Sequence, residues 1–392
     1  MKTNKHEKSK SGNKQKNNSE ASLKEFLKYS RTLVKKLDCS LLFFSSAELE
    51  NKYLSNILSL KEDFALLISD KCACASNTNK KCDDSISDLN TTLFVPFPPQ
   101  INPYESINSI RELKCISSCL KSIKSPIGIE FERAKASEHE KLVQMIDKNI
   151  KNPVLDISSY LNEFFSVKDD LLLAKISQAS ILSDEVFKKL YSFIKIQKIR
   201  SEHGAYEFIN YTLKRLFLEP AFSPIVANSV NSANIHHTFP SKRAFRKGFL
   251  LVDLGVKFDG ICSDLSRMIY LGTPSLKEKE LYDLVKYVQE KSILYVKEGV
   301  LYSHIEDYAK QLLGKYSSYF THLLGHGLGY YPHECPSFSK ISKEKVRKNH
   351  VFTIEPGIYF KGEFGIRIED TCYFDGNKAI PFTKSKKELL LV

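Results

Sequence analysis

The stretch FTIEPGIYFKGEFGIRIED, residues 352–370, decides how the second half of the chain is read. It has the apolar content of a buried hairpin, yet each arm carries a carboxylate, Glu355 and Glu369. A three-residue loop, Lys361-Gly362-Glu363, sets Phe360 opposite Phe364. Continued outward, the same register brings Glu355 opposite Glu369. Arg367 shares the face of Glu369, because side chains alternate along a strand.

A second stretch, GFLLVDLGVKFDGICSDLSRMIYLG at 248–272, poses the same problem. Asp259-Gly260 is a strong two-residue turn signal between alternating apolar runs. That turn places Asp253 opposite Ser266 and Gly255 opposite Asp264, so Asp253 and Asp264 become diagonal neighbours on one face, roughly 7–8 Å apart at the backbone. Gly255 beside them leaves space. Four carboxylates meeting in a core repel one another and are costly to desolvate, and metal ions are the usual relief.

A nitrogen ligand is available in HLLGHGLGYYPHECP, 322–336, where Gly325 and Gly327 flank His326. Two Asp, one His and two Glu suit a dinuclear hydrolytic site, in which carboxylates bridge two divalent ions that hold a water. Each residue alone has a plainer reading. An Asp after a strand caps a turn, a Glu in a strand faces water, and Gly-x-Gly marks a loop. The joint pattern carries the argument.

These motifs, VDLGVKFDGICSDLSR, HLLGHGLGYYPHECP, FTIEPGIY and GIRIEDT, resemble in order and spacing the pita-bread metallopeptidases, in their aminopeptidase P and prolidase branch. The resemblance covers residues 166–392 and extends upstream to AFSPIVANSVNSANIHH, 221–237. It implies an α+β protein whose C-terminal pita-bread domain, 166–392, follows a smaller creatinase-like α/β domain, 21–165. It implies that Asp253 chelates one metal, that Asp264 and Glu369 bridge two, and that His326 and Glu355 complete the other. Glu355 would shuttle the proton, His236 and His333 would contact substrate and stabilise the tetrahedral intermediate, and His322 and Arg367 would join them in binding substrate. The spacing to Asp253 selects His236 over the adjacent His237. Two divalent ions follow, manganese foremost, with cobalt, iron or zinc also compatible with one His among carboxylates. The implied substrate is a peptide with proline in second position, and the implied assembly a homodimer. The chain departs from the family pattern at Ser266, where Thr is usual, at Tyr331-Pro332 and at Cys335.

The remaining sequence sets the frame. With 392 residues, 42% hydrophobic and 27% charged, the chain is long enough for two domains of ordinary globular composition. Residues 1–20 carry six Lys against two Glu and no apolar face, which reads as a disordered basic tail. Elsewhere the net charge of +12 is interspersed, and the tail reads as a solvated leader that binds nothing, with nucleic-acid (RNA) or membrane contact as the alternative. No run reaches 18 apolar residues and no export signal is present, so a cytoplasmic location with no membrane contact is expected. Cys72, Cys74, Cys82, Cys115 and Cys119 fit no zinc-ligand spacing and read as structural or incidental thiols.

Helical spacing appears at 22–37, 169–195, 203–219 and 274–299, and again at 303–316, where Ser303 and Glu306 suggest a capping box. Strands are expected at 40–46, 64–70 and 127–131, and polar or Pro-rich loops at 69–92 and 95–106. Two other functions share parts of the pattern. A non-catalytic pita-bread binding module would suit the basic tail but typically loses ligands, whereas all five stand here. Methionine aminopeptidase shares the five ligands but not the GIRIED motif or the large N-terminal domain.

Overall fold

The computed structural model describes residues 154–392 without a break. Before them it describes 23–30, 32–34, 36–37, 40–45, 64–69, 90–95, 109–112, 126–129 and the single positions 140, 144 and 150. The segment 1–20 and Cys72, Cys74, Cys82, Cys115 and Cys119 lie outside the described residues. The chain forms two compact units, one up to Phe164 and one from Phe165 to Val392. Both mix helix and strand, in keeping with the α+β expectation. No helix among the described residues is long and apolar enough to cross a membrane.

In the first unit six strands form one mixed sheet, in the order 109–112, 90–95, 64–69, 40–45, 127–129, 154–156. The three runs read as strands fall on Ser40–Ser45, Phe64–Ser69 and Ile127–Ile129. The polar stretch 69–92 ends differently from its loop reading, because Asn90–Val95 pairs antiparallel with Phe64–Ser69. Leu23, Phe26 and Leu27 stand at i, i+3 and i+4 of a helical segment and are buried, with Phe26 edge-on to Phe43 at 5.2 Å.

The second unit is organised around the antiparallel pair Gly248–Leu254 and Leu265–Leu271. This pair is apolar almost throughout because both of its faces are covered. On one face Leu250, Val252, Leu254, Leu265 and Ile269 pack with the helices Asp170–Lys195 and Glu202–Arg215. On the other, Phe249, Leu251, Met268 and Tyr270 join the helices Leu276–Tyr295 and Tyr302–Leu313. Asp253 and Ser266 are partners in this ladder and stand on the second face, at its polar end.

Caps explain where the helices begin. Asp169 accepts from the Leu172 amide and Ser201 from the Gly204 amide, each satisfying a donor with no partner inside its helix. The capping box belongs to Ser275 and Glu278, at the start of Leu276–Tyr295, rather than to Ser303 and Glu306. The helix Tyr302–Leu313 starts two residues too early for Ser303 to cap it, and its first amide bonds to the Glu344 carbonyl. Glu306 is instead buried, where it accepts from the Leu324 amide and pairs with Lys310.

Candidate metal centre

The first hairpin adopts the register its turn dictates. Asp259 and Gly260 have φ of 50° and 80°, the pair of positive values that a type I′ turn requires. Pairing runs from Lys257–Cys262 to Leu254–Leu265 and Asp253–Ser266, which leaves Gly255 across from Asp264. A Cβ on Gly255 would lie 2.2 Å from the Ser263 carbonyl oxygen, so the two arms approach as closely as they do only because that position is glycine.

The second hairpin turns at Gly362, with φ of 82°, and pairs Phe360 with Phe364 and Gly357 with Arg367. Beyond a short interruption the same register resumes at Ile354–Asp370, leaving Glu355 across from Glu369. The interruption frees backbone amides for other partners. Glu355 donates to the Leu324 carbonyl at 2.8 Å, and Glu369 donates to the Ser266 carbonyl at 3.2 Å, which joins the two hairpins at the site.

The short strand His326–Gly327 lies between Val351–Ile354 and Glu334–Ser337. Gly325 is required there, since a Cβ would meet the Thr353 carbonyl oxygen at 2.0 Å. The His326 Nδ1 is 3.1 Å from the Gly327 carbonyl. A carbonyl only accepts, so Nδ1 carries the hydrogen and Nε2 faces Glu355 Oε1 at 3.3 Å and Asp264 Oδ2 at 3.8 Å. Ligand atoms of Asp264, His326 and Glu369 lie within 4.8 Å of one another.

The electrostatics of this cluster call for a cation. Asp253 Oδ1 and Asp264 Oδ1 are buried and accept no hydrogen bond. Burial raises the Asp264 carboxyl well above its ordinary pKa, and the charges of Glu369, Asp253 and Glu355 add to that. Glu369 is raised well above its own by burial and then by Glu355 and Asp253. Asp253 is raised by burial, which outweighs the opposing charge of Arg367. Burial also works against ionisation of Glu355, but its hydrogen bond with His326 and the neighbouring His322 bring it down to about 2. Two buried oxygens without partners, among carboxylates that resist ionisation without one, fit divalent cations.

Other side chains align the ligands. The Arg367 guanidinium is buried and donates to Asp253 Oδ2 at 2.5 Å, to Ser266 Oγ at 3.0 Å and to the Tyr359 hydroxyl at 2.9 Å. Ser266 passes its hydrogen to Glu369 Oε2 at 2.8 Å, so a Ser hydroxyl suffices at this position. The Arg367 guanidinium, expected at the substrate, thus also ties together a proposed metal ligand and its neighbours. His322 likewise has partners inside the protein. Its Nδ1 donates to the Leu323 carbonyl at 2.8 Å, and its Nε2 accepts from the Tyr359 hydroxyl at 2.8 Å. Burial lowers its pKa to about 4, so it stays neutral with both nitrogens engaged inside the protein.

His236 and His333 stand apart from that network, and both are exposed. The His333 ring is 4.2 Å from that of His326, and its pKa is lowered to about 4, first by partial desolvation and then by His326. The carbonyl of Ile235, the residue before His236, lies 3.5 Å from Arg367 Nη1, which brings this part of the segment to the edge of the cluster. His237 turns away, with Nε2 3.2 Å from Glu202 Oε2. Tyr359 and Glu202 were not singled out in the sequence. Tyr359 ends the quoted FTIEPGIY motif, whereas no local signal distinguishes Glu202.

Comparison with known proteins agrees with this geometry. Residues 174–375 match the model of metallopeptidase family M24, a family of divalent-metal-dependent peptidases. An uncharacterized peptidase of Staphylococcus saprophyticus is 34% identical over 231 residues, 57% of this chain and 65% of that protein, just under two thirds of its length. The Xaa-Pro dipeptidase of Pyrococcus horikoshii is 28% identical over 311 residues, 78% of this chain and 87% of that one. The crystal structure of the prolidase from Pyrococcus horikoshii OT3 superposes with a TM-score of 0.75 at 24% identity, covering 93% of this chain and all of that one, a likeness of fold. The fold is thus the pita-bread fold. The family match spans more than half of the chain and encloses every residue from His236 to Glu369 discussed above, and the protein belongs to metallopeptidase family M24.

Proposed function

We propose that the chain is a dinuclear metal-dependent exopeptidase that hydrolyses the bond before proline in dipeptides or short peptides. The observation that carries the metal chemistry is the pair of partnerless buried oxygens, Asp253 Oδ1 and Asp264 Oδ1. The proline preference rests on the relatives named Xaa-Pro dipeptidase. Asp253, Asp264, His326, Glu355 and Glu369 would hold two divalent ions, manganese in this reading. Such ions supply Lewis acidity and lower the pKa of a water.

The chain's own residues do the rest. Arg367 ties down one oxygen of Asp253 and leaves the other free. Glu355, ionised at neutral pH, accepts a proton at its carboxylate and returns it to the leaving proline nitrogen. His333 stays neutral there, so its imidazole offers an N–H to the developing oxyanion without carrying charge. His236 grips the substrate beside it. None of these groups needs the amide hydrogen that a peptide bond to proline lacks. The two histidines, together with a proposed second copy of the chain in a homodimer, would enclose the peptide in the cytoplasm.

The test compares Leu-Pro and Leu-Pro-Pro with Met-Ala-Ser, before and after chelation, with elemental analysis of the purified protein. Faster cleavage of the proline peptides, abolished by chelator, is the expected result. The faster of the two proline peptides separates dipeptidase from aminopeptidase preference. Activity indifferent to chelation in a metal-free protein would overturn the mechanism, and preference for Met-Ala-Ser would overturn the substrate.

A further inference from the structure

We propose that Glu202 is a positioning residue for substrate binding: its buried carboxylate gathers the segment 228–241 so that His237 faces inward and His236 faces the metal centre. This inference rests on the reading that His236 touches the substrate.

Glu202 opens the helix Glu202–Arg215 and is 2% exposed. Four positions of the segment bond to its two oxygens. The Asn228 amide donates to Oε1 at 2.6 Å, and the Ser241 amide to Oε2 at 2.7 Å. Asn231 Nδ2 donates to Oε1 at 2.9 Å and Oε2 at 3.1 Å, and His237 Nε2 lies 3.2 Å from Oε2. These contacts hold both ends of the segment and two residues within it, Asn231 and His237. His236 is adjacent to the second of these, so the inward rotation of His237 sets the outward direction of His236.

Other bonds reach the segment, from the His203 amide to the Ser241 carbonyl at 3.0 Å, from the Gly365 amide to Ser232 Oγ at 2.9 Å and from Arg367 to the Ile235 carbonyl at 3.5 Å, but the bond that turns the His237 side chain is to Glu202. A cavity of about 270 Å³ lies against it, lined by Glu202, Asn228, Asn231, Ser241, Arg243 and Arg246, so side-chain packing does not support it there. Beyond His237, Phe239 is 85% exposed. Ser229 sits at φ of 55°, a left-handed conformation that non-glycine residues adopt at a cost, and the bonded Asn228 and Asn231 hold it on either side. A carboxylate accepting from four directions is difficult to replace. Gln would set an amide N–H₂ against the Asn231 or Ser241 donors, and Ala would leave all four donors without an acceptor.

The test is a double-mutant cycle on kcat/KM for Leu-Pro with Glu202→Gln and His236→Ala, in metal-replete protein of verified metal content. Amide hydrogen exchange over 228–241 is measured in parallel. Glu202→Gln should lower kcat/KM about 10- to 100-fold, the scale of a misplaced contact group. The loss should nearly vanish in the His236→Ala background, because the two act as one unit. Exchange should rise within 228–241 and stay unchanged at the metal-ligand strands. Equal losses in both backgrounds, or unaltered exchange, would overturn the proposal, since a purely structural role lowers stability without coupling to His236. If His236→Ala alone leaves kcat/KM unchanged, the reading of His236 falls and takes this route of action with it. Asn231→Ala, which removes one donor and keeps the carboxylate, gives the same coupling at smaller size if Glu202→Gln does not fold.

Discussion

Glu369 and Asp370 are neighbours in the chain and both are almost fully buried, yet they meet opposite fates. Asp370 accepts from Arg267 at 2.6 Å and Thr383 at 2.7 Å on one oxygen, and from Gln289 at 2.8 Å and Lys387 at 2.7 Å on the other. Burial alone would raise its pKa, but Arg267 and Lys387 outweigh it and hold the carboxyl well below the usual range. Glu369 points to the other side, receives a hydrogen bond from Ser266 and otherwise meets other carboxylates. Consecutive side chains of extended backbone face opposite ways, so one strand serves two environments. The protein balances a charge internally where the charge is structural. It leaves the balance to an outside ion where the charge is for chemistry.

This contrast predicts unequal results from the same chemical change. Asp264→Asn should cost at least about 10³-fold in kcat/KM, since a ligand proposed to serve both ions is lost. The metal-free Asp264→Asn protein should nonetheless be as stable to urea as the metal-free parent, because one member of a repelling cluster has been neutralised. Asp370→Asn should do the reverse. Breaking a buried, hydrogen-bonded ion cluster should destabilise the fold by about 3 kcal/mol, while metal stoichiometry by elemental analysis stays at the parent value. If Asp370→Asn also empties the metal site, the two environments are not separable and the contrast fails.

A smaller effect, in pH, sharpens it further. Glu202 belongs with Asp370: burial raises its pKa, but hydrogen bonds led by His237 and Asn228 prevail and hold it below the ordinary glutamate range. A carboxyl with a depressed folded-state pKa contributes fully above its unfolded value, and that contribution is lost as pH falls through the folded one. The Tm difference between the parent and Glu202→Gln should therefore be greatest near neutral pH and shrink below about pH 4.5. A gap that holds constant into acid would mean that hydrogen-bond geometry, rather than charge, is what Gln loses.

Local rules made both hairpins legible. Asp259-Gly260 and Gly362 set their turns, and side-chain alternation then placed four carboxylates from register alone. The choice of His236 over His237 came from spacing in the resemblance, and the contact of His237 with Glu202 is the observation from which its proposed orientation is argued. What escaped notice was the set of side chains acting over long separations. Arg367 reaches Asp253 across 114 positions and Arg267 reaches Asp370 across 103. Periodicity carries no trace of such partners. Nothing in the sequence signalled that Arg367 and His322, expected at the substrate, share the Tyr359 hydroxyl as a partner. The Ser303/Glu306 pattern failed for a similar reason, since Glu306 serves Leu324 rather than its own helix end.

The interrupted ladder between Glu355 and Glu369 bears on when the site comes into being. Neither hairpin alone presents the whole ligand set, and the amide of Glu369 finds its acceptor, the Ser266 carbonyl, only after the two hairpins have met. An isolated hairpin offers a cation only two of the five proposed ligands, so a bound cation would act as a latch on the finished site rather than as a template for folding. Stopped-flow measurements should show added metal slowing the unfolding limb while leaving the refolding limb unchanged, as expected for contacts absent from the transition state. The enzyme's resistance to unfolding would then follow the supply of metal in its surroundings, and its speed of folding would not.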